Sequence, residues 1–235
     1  MRVTIAHFAV SRRMRRLDAA ASLIHRVDSE TMGTGKLVVG ITGASGAIYA
    51  QRLLMHAVKH YSEVLLMMSD QAFQVASTEL GISLCREKWS THEWLGQEYS
   101  QIRLLNPRDY FTPPASGSFR HDGMVIVPCS MGTAGRIANG VSDDLLTRSA
   151  DVCLKEGRKL ILVPREMPWN LIMLRNLTQL AEAGATILPA CPAWYYKPKT
   201  LEDLADTVVA RILQNFGIDQ NIVPQWMAPE GTVEA

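Results

Sequence analysis

The sequence lacks the features that mark a membrane-spanning, metal-knuckle or nucleic-acid-binding protein. No apolar run approaches the ~20 residues that a membrane helix needs. The four cysteines, Cys85, Cys129, Cys153 and Cys191, are far apart and form no C-x-x-C pair. Their spacing argues against a metal site or a disulfide framework and is typical of a protein in a reducing cytoplasm. Because the formal net charge is only +1 over 235 residues, we expect no bulk electrostatic attraction to nucleic acid or membranes.

The first 35 residues differ in composition from the rest of the chain. The stretch "MRVTIAHFAVSRRMRRLDAAASLIHR" is rich in arginine and has one acidic residue, Asp18. This composition is typical of a transit-like peptide, or it results from a translation start assigned too far upstream, with Met32 as the natural start. We therefore expect residues 1–35 to be a disordered extension or a mis-assigned start. Residues 36–235 are expected to form one domain with a C-terminal tail.

Short apolar runs alternate with amphipathic segments from Lys36 onward. The runs are "KLVVGIT", "EVLLMMS", "IRLL", "MVIVPC", "KLILVP" and "ATILPA". Continuous apolar strands that alternate with helices are typical of a parallel sheet covered on both faces. The sequence therefore predicts a single α/β domain with a doubly wound, Rossmann-like sheet. Such sheets bind ligands beyond the carboxyl ends of their strands.

The first predicted strand ends in a glycine-rich turn, "GITGASGA", with Gly40, Gly43 and Gly46 at three-residue spacing. Glycine lets the backbone turn tightly and approach a ligand closely, and we expect the following helix to offer free amides to a phosphate. The turn does not have the G-x-G-x-x-G spacing of dinucleotide-binding sites. A Tyr-x-x-x-Lys pair, Tyr195 and Lys199, is interrupted by a proline, so the sequence disfavours a nicotinamide-dependent dehydrogenase.

Four further stretches accompany this turn in the same chain order. They are "PPASGSF", "VPCSMGTAGRIANG", "TRSADVCLKEGRKLILVPREMP" and "PACPAWYYKP". Together the five motifs resemble the UbiX-type flavin prenyltransferases, also known as the Pad family. The resemblance extends from Lys36 to Trp226, and it implies a flavoprotein-type fold. It also implies that FMN, in its reduced form, accepts a dimethylallyl group from dimethylallyl phosphate and becomes prenylated FMN.

The resemblance assigns residues to two binding sites. The residues that it places at FMN are Gly43, Ala44, Ser45, Ser69, Ser130, Met131, Gly132, Thr133, Arg148 and Arg165. The residues that it places around dimethylallyl phosphate are Ser116, Gly117, Lys155, Glu166, Tyr195, Arg211 and Trp226. Hydroxyls and loop amides suit a phosphate dianion, and cationic side chains suit the departing phosphate of an allylic ester.

The resemblance also implies a metal-independent reaction in which Ser45, Glu79, Glu166 and Lys155 take part. Glu79 is expected to accept the proton that is lost when a fourth ring closes on the flavin, and Ser45 is expected to relay it. Structural alternatives stand beside these roles. Lys155 could form an ordinary helical ion pair with Asp151, four residues earlier, and Glu79 could be a surface carboxylate.

Two arginines depart from the commoner family pattern. Arg175 stands where many members have an acid, and we expect it to affect helix pairing or subunit contacts more than catalysis. Arg136, in "CSMGTAGRIANG", has no role that the sequence indicates.

The resemblance implies partners as well as an activity. We expect a cytoplasmic homo-oligomer, typically a dodecamer, that delivers its product to a UbiD-type decarboxylase in ubiquinone biosynthesis or aromatic acid decarboxylation. Two alternatives stay open: a non-catalytic flavin-binding subunit of an aromatic-acid decarboxylase, and a related FMN-dependent decarboxylase. The second relies on a "Pro-x-Met-Asn-x-x-Met-Trp" clamp, where this chain has "PREMPWNLIM".

Overall fold

The computed structural model describes residues 35–224 of the chain. The expectations for the N-terminal extension and for Trp226 concern residues that lie outside this range. Within it, the domain has three layers, with a parallel β-sheet between two layers of helices. The predicted fold class, a doubly wound α/β domain, is confirmed.

The central sheet contains six parallel strands in the order β3-β2-β1-β4-β5-β6. The strands are β1 (Gly35–Ile41), β2 (Tyr61–Met68), β3 (Ile102–Leu105), β4 (Gly123–Cys129), β5 (Leu160–Pro164) and β6 (Thr186–Ile187). Strands β2 and β3 follow β1 on one side of the sheet, and strands β5 and β6 follow β4 on the other side, with β1 and β4 as neighbours. This change of side is the switch point at which such sheets bind ligands.

Seven α-helices cover the sheet in the described part of the chain. They are α1 (Ala47–Ala57), α2 (Asp70–Leu80), α3 (Thr91–Leu95), α4 (Met131–Ala138), α5 (Leu145–Lys155), α6 (Leu171–Glu182) and α7 (Leu201–Asn215). The buried residues of α1, α2, α3 and α7 form one apolar cluster, and those of α4, α5 and α6 form another.

The sheet separates the two clusters because successive strand residues point to opposite faces. In β1, Leu37, Val39 and Ile41 belong to the first cluster, whereas Val38 belongs to the second. All four are at most 1% exposed. Apolar residues at every strand position therefore follow directly from helices on both faces.

Two elements differ from the sequence-based prediction. The segment after β4, expected to be a turn, is the helix α4. It forms because Ser130 caps it and because Met131, Ala134 and Ile137 pack into the core. The last strand is shorter than the predicted "ATILPA" and pairs only at Thr186 and Ile187.

The parallel strands give the sheet two functionally different edges. We call the carboxyl edge the segments that directly follow the strands, and the amino edge the segments that precede them. Strand β1 has seven residues, so the two edges are roughly 20 Å apart at about 3.3 Å per residue. In residues 35–224, no helix combines the length and the apolar character needed to cross a membrane.

Candidate functional site

The carboxyl edge brings four of the expected flavin-binding segments together. The amide of Ser69 donates to the carbonyl of Ile41 at 3.0 Å, which ties the end of β2 to the end of β1. The amide of Arg165 donates to the carbonyl of Cys129 at 3.2 Å, which ties β5 to β4. The segments at Gly43–Ser45, Ser69, Ser130–Thr133 and Arg165 therefore line one contiguous edge.

Thr42 joins the two central turns, and the sequence analysis missed it. Its hydroxyl donates to the carbonyl of Pro128 at 2.8 Å and accepts from the amide of Ser130 at 2.7 Å. The side chain is 3% exposed. A buried threonine directly after an apolar strand was the available signal, since a buried hydroxyl needs partners. Thr42 therefore fixes the β1 turn relative to the start of α4.

The glycines of the first turn are required mainly by packing. Gly46 has a φ of 115°, which disfavours other residues, and a Cβ there would lie 2.8 Å from the Tyr49 ring. A side chain at Gly43 would overlap that of Gln71 at the start of α2. The turn thus packs closely against its neighbours, and it leaves Ser45 exposed at the edge.

The free amides expected at the start of α1 are not free. The Glu79 carboxylate accepts from the amide of Gly46 at 2.9 Å and from the amide of Ala47 at 2.8 Å. It also interacts with the Ser45 hydroxyl through a hydrogen bond. The expectation that this helix binds a phosphate is therefore corrected, because a carboxylate of the same chain already occupies its positive end.

These contacts favour the charged form of the Glu79 carboxylate. Burial alone would raise the pKa of Glu79. The hydrogen bonds from Ser45, Ala47 and Gly46, together with the nearby charge of Arg165, lower the pKa by more than burial raises it. The net result is a pKa below the ordinary glutamate value. Ser45, Glu79 and Arg165, predicted separately, thus lie within electrostatic reach of one another.

The start of α4 offers the donors that α1 does not. Ser130 accepts from the amide of Thr133 at 3.3 Å and donates to the Thr133 hydroxyl at 3.0 Å. Within residues 35–224, the amides of Met131 and Gly132 have no acceptor. A Cβ added at Gly132 would contact nothing within 4 Å. Two unused amides at a helix start, next to open space, suit an anion such as the FMN phosphate.

Arg165 and Glu166 extend the carboxyl edge beyond β5, and both are exposed. The charge of Arg165 lies near the phenol of Tyr49, as does the thiol of Cys191. Burial raises the pKa of Tyr49, with Cys191 raising it further and Arg165 lowering it. Glu166 accepts only from the adjacent amide of Met167, at 3.1 Å, among the contacts in the described range. Its carboxylate is therefore available to a ligand or a neighbouring molecule.

A second group of expected residues lies at the amino edge. Arg158 donates to the carbonyls of Gly117 and Phe119, and Lys36, at the start of β1, lies 5.1 Å from the Phe119 ring centre. A Cβ at Gly117 would lie 2.9 Å from Nζ of Lys155. The loop that carries Ser116 and Gly117 therefore packs against the end of α5.

Arg148 and Lys155, seven residues or two helical turns apart on α5, both face the segment from Ala115 to Gly117. Arg148 donates to the carbonyl of Ala115 at 3.2 Å, in the segment that leads to Gly117. Their ion pairs differ from the expectation, however. Asp151 pairs with Arg148 at 2.8 Å, and Lys155 pairs with Glu156. The alternative Lys155–Asp151 pair is therefore wrong.

A third group lies beside the edge strand β6. Tyr195 and Arg211 line a cleft of about 350 Å³, and the Tyr195 hydroxyl donates to that of Tyr196 at 2.8 Å. Burial and the Tyr195 hydrogen bond raise the pKa of Tyr196 to about 12. Arg211 is the one charged residue of the otherwise apolar stretch "VVARIL". It is exposed and donates to Gln214 at 2.6 Å.

The structure thus divides the predicted site into three places on one chain. The flavin-binding turns, Glu79 and Glu166 share the carboxyl edge, Lys155 lies at the amino edge, and Arg211 lies beside β6. Because strands of this length separate the two edges by roughly 20 Å, one chain alone does not bring Lys155 to Glu79. The described residues contain no cluster of three or more His, Cys, Asp or Glu side chains that could hold a metal ion.

Comparison with known proteins agrees with this geometry. A family model described as "Flavoprotein" matches residues 25–214. The flavin prenyltransferase UbiX of Pseudomonas aeruginosa is 43% identical over 198 residues, which cover 83% of this chain and 95% of that protein. The flavin prenyltransferase UbiX of Methanocaldococcus jannaschii is 44% identical over 191 residues, covering 81% of this chain and 98% of that protein.

Solved structures give the same result. The crystal structure of AnUbiX (PadA1) in complex with FMN and dimethylallyl pyrophosphate matches with a TM-score of 0.72 and 37% identity, covering 83% of this chain and 99% of that one. A dodecameric FMN-dependent UbiX-like decarboxylase from Escherichia coli O157:H7 matches with a TM-score of 0.69 and 39% identity. The match covers 82% of this chain and 99% of the E. coli chain.

Proposed function

The chain belongs to the UbiX flavin prenyltransferase family, and we propose that it transfers the dimethylallyl group of dimethylallyl phosphate to reduced FMN, releasing phosphate and giving prenylated FMN. The observation that carries the proposal is the carboxyl edge, where unused amides, hydroxyls and a carboxylate converge next to Arg165. FMN is a substrate in this reaction as well as the flavin of the family. Reduced flavin supplies a nucleophilic central-ring nitrogen and a neighbouring benzenoid carbon, to which the five-carbon unit is joined.

We place the FMN phosphate at the start of α4. The unused amides of Met131 and Gly132 donate to it, and the hydroxyls of Ser130 and Thr133 lie within the same turn. The positive end of the helix dipole adds to the attraction. Gly43, Ala44, Ser45, Ser69 and Arg165 then line the path of the ribityl chain and the ring along the carboxyl edge.

The allylic phosphate needs cations that this edge does not supply in sufficient number. Lys155, with the Ser116–Gly117 loop, is the cationic group that the family resemblance assigns to it. Because that group lies at the amino edge, we propose that a neighbouring copy of the chain brings it to the flavin. Arg211 and Tyr195, beside β6, reach the same site from a neighbouring copy as well. Positive charge held in a water-poor interface stabilises the departing phosphate.

The proton that leaves the flavin carbon passes to the pair formed by Ser45 and Glu79. Ser45 is exposed at the edge and is hydrogen-bonded to the Glu79 carboxylate. When the Ser45 hydroxyl accepts the proton, its own proton can move to Glu79. Glu79 is ionised near neutral pH, since its pKa lies below the ordinary glutamate value, so the carboxylate is free of a proton before the step. Glu166 lies at the same edge and contributes to holding the allylic substrate.

We propose that the chain assembles into a large homo-oligomer, a dodecamer like that of the UbiX-like decarboxylase from E. coli. Large apolar side chains are exposed at the start of α6 and near β6. Leu171, Ile172 and Leu174 are 60%, 69% and 44% exposed, and Trp194 is 71% exposed. Such patches mark protein–protein contacts. Light scattering at micromolar concentration is expected to show this oligomer, and a fully active stable monomer contradicts the proposal.

We further propose that the protein works in the cytoplasm and passes prenylated FMN to a UbiD-type decarboxylase. Prenylated FMN is a modified cofactor with no use on this chain itself, so its consumer is a second enzyme. The scattered free cysteines suit a reducing compartment, since none of those in the described residues forms a disulfide.

The activity is tested by weighing the flavin. We expect that protein incubated without oxygen, with FMN, a reductant and dimethylallyl phosphate, yields a flavin heavier by one five-carbon unit. A parallel incubation with dimethylallyl pyrophosphate tests the diphosphate seen in the AnUbiX complex. An unchanged flavin mass, with FMN shown to be bound, rules out the prenyltransferase and favours the decarboxylase or carrier alternatives.

A further inference from the structure

Arg136 is the one arginine of the "CSMGTAGRIANG" motif, and it connects two parts of the site. It lies on α4, one turn after Thr133, and its guanidinium donates to the Thr133 hydroxyl at 3.3 Å. It also donates to Asp143 at 2.5 Å and to Asp144 at 2.9 Å. Asp144 caps α5, because its carboxylate accepts from the amide of Thr147 at 2.7 Å.

The contact with Arg136 determines what the Thr133 hydroxyl can do. A hydroxyl oxygen accepts through two lone pairs and donates one proton. The Thr133 oxygen accepts from the Ser130 hydroxyl at 3.0 Å and from Arg136 at 3.3 Å. Both lone pairs are therefore used, and the remaining proton is directed elsewhere. Thr133 is 3% exposed, so its proton needs a nearby acceptor, and a phosphate oxygen at the start of α4 is one.

Arg136 also neutralises acidic groups behind the same turn. Asp143 and Asp144 form ion pairs with it, and both hydrogen bonds raise the already high pKa of Arg136 against the effect of its burial. Without the guanidinium, two carboxylates stand close to the place proposed for a phosphate dianion. The negative charges of the two carboxylates and the phosphate would then repel one another.

We propose that Arg136 is a positioning residue for the FMN phosphate. It makes the Thr133 hydroxyl a donor and cancels the charge of Asp143 and Asp144, without touching the ligand itself. This inference rests on the proposed phosphate site at the start of α4, and it adds a residue outside the set that the family resemblance assigns.

The test compares the affinities of FMN and riboflavin, which differ only in the phosphate. Arg136→Ala is expected to weaken FMN binding about tenfold, because the Thr133 hydroxyl loses the contact that orients it and Asp143 and Asp144 lose their counter-charge. Riboflavin affinity is expected to stay nearly unchanged. Riboflavin affinity is measured by its displacement of bound FMN. Arg136→Lys keeps the charge but not the two-pronged contact, so its FMN affinity is expected to lie between those of the unmodified protein and Arg136→Ala.

A second variant separates the electrostatic effect from simple destabilisation of α4. Asp143 is more than half exposed and caps no helix, so Asp143→Asn removes one carboxylate without removing the α5 cap. Adding it to Arg136→Ala is expected to recover part of the FMN affinity. The matched control is Arg103→Ala, which breaks a 2.8 Å ion pair with Glu63 between strands β3 and β2, away from the segment that follows β4. That change is expected to alter neither affinity.

The outcomes distinguish this inference from the proposed function. Thr133→Val tests the phosphate site directly, because it removes the donor itself. If Thr133→Val lowers FMN affinity relative to riboflavin and Arg136→Ala does not, the Arg136 inference is wrong and the phosphate site stands. If neither variant changes the ratio, the phosphate lies elsewhere and both are wrong. Equal weakening of FMN and riboflavin by Arg136→Ala assigns it a merely structural role and also overturns the inference.

Discussion

Lys155→Ala is expected to bind FMN normally and to form product at a rate lower by about 10²–10³-fold, the typical effect of removing one group that stabilises developing charge. FMN binding survives because Lys155 is an exposed residue of the amino edge, away from the turns that follow the strands. The lost step is departure of the allylic phosphate, so no bond to the flavin forms. Flavin titration and anaerobic single-turnover absorbance measure the two effects separately.

The same variant tests where the second half of the site comes from. Mixed oligomers of Lys155→Ala and Glu79→Gln chains, each nearly inactive alone, are expected to regain activity. If one copy supplies Glu79 and another supplies Lys155, random mixing makes about a quarter of the sites fully native. A site built within one chain recovers nothing, because no chain then carries both residues. The control is a mixture of two separately prepared Lys155→Ala batches, which must stay inactive.

Lys155→Arg provides the matched control within the chain itself. It keeps the charge at the end of α5 and the pairing with Glu156, and we expect it to retain more activity than Lys155→Ala. Normal product formation by Lys155→Ala contradicts the assignment. Loss of FMN binding by the same variant contradicts the separation of the two edges.

The fold could be predicted because its strands are buried on both faces. Runs such as "KLVVGIT" and "KLILVP" have no polar alternation, and only helices on both sides of a sheet explain that pattern. Helix α4 escaped prediction because Gly132 and Gly135 are poor helix formers, at about 1 kcal/mol each relative to alanine. The Ser130 cap and core packing of Ile137 overcome that preference, and neither is visible in local composition.

The site could be predicted only in part. The residues after β1, β2, β4 and β5 meet at one edge because the carboxyl ends of parallel strands do so. The contact between Glu79 and the start of α1 joins residues 32 positions apart, and no local pattern predicts it. The position of Lys155 could have been found from topology. A helix that precedes a parallel strand runs back across the sheet, so its last residue lies at the amino edge.

Glu79 has a structural task that complicates its proposed role as a base. Its carboxylate accepts from the amides of Gly46 and Ala47 and closes the positive end of α1. Removing such a cap costs about 0.5–2 kcal/mol of stability. Glu79→Ala therefore mixes a loss of folding stability with a loss of chemistry. Glu79→Gln does not, because both amides can share the one oxygen that glutamine keeps.

Glu79→Gln is expected to keep FMN bound and to allow the first bond between the five-carbon unit and the flavin nitrogen, while ring closure or the final deprotonation slows. Its amide nitrogen can only donate to Ser45, so the hydrogen bond between them is reversed and no proton can be accepted. A positioned base contributes about 10²–10⁴-fold to the rate. The step after the first bond should therefore slow by about that factor, and an open-chain adduct should accumulate.

Ser45→Ala, which leaves the amide contacts of Glu79 in place, is expected to slow the same step. Anaerobic single-turnover absorbance with mass spectrometry follows the adduct, and thermal unfolding confirms that α1 keeps its cap. If Glu79→Gln forms the finished product at the normal rate, Glu79 is a helix cap and the proton leaves through another group, such as the released phosphate.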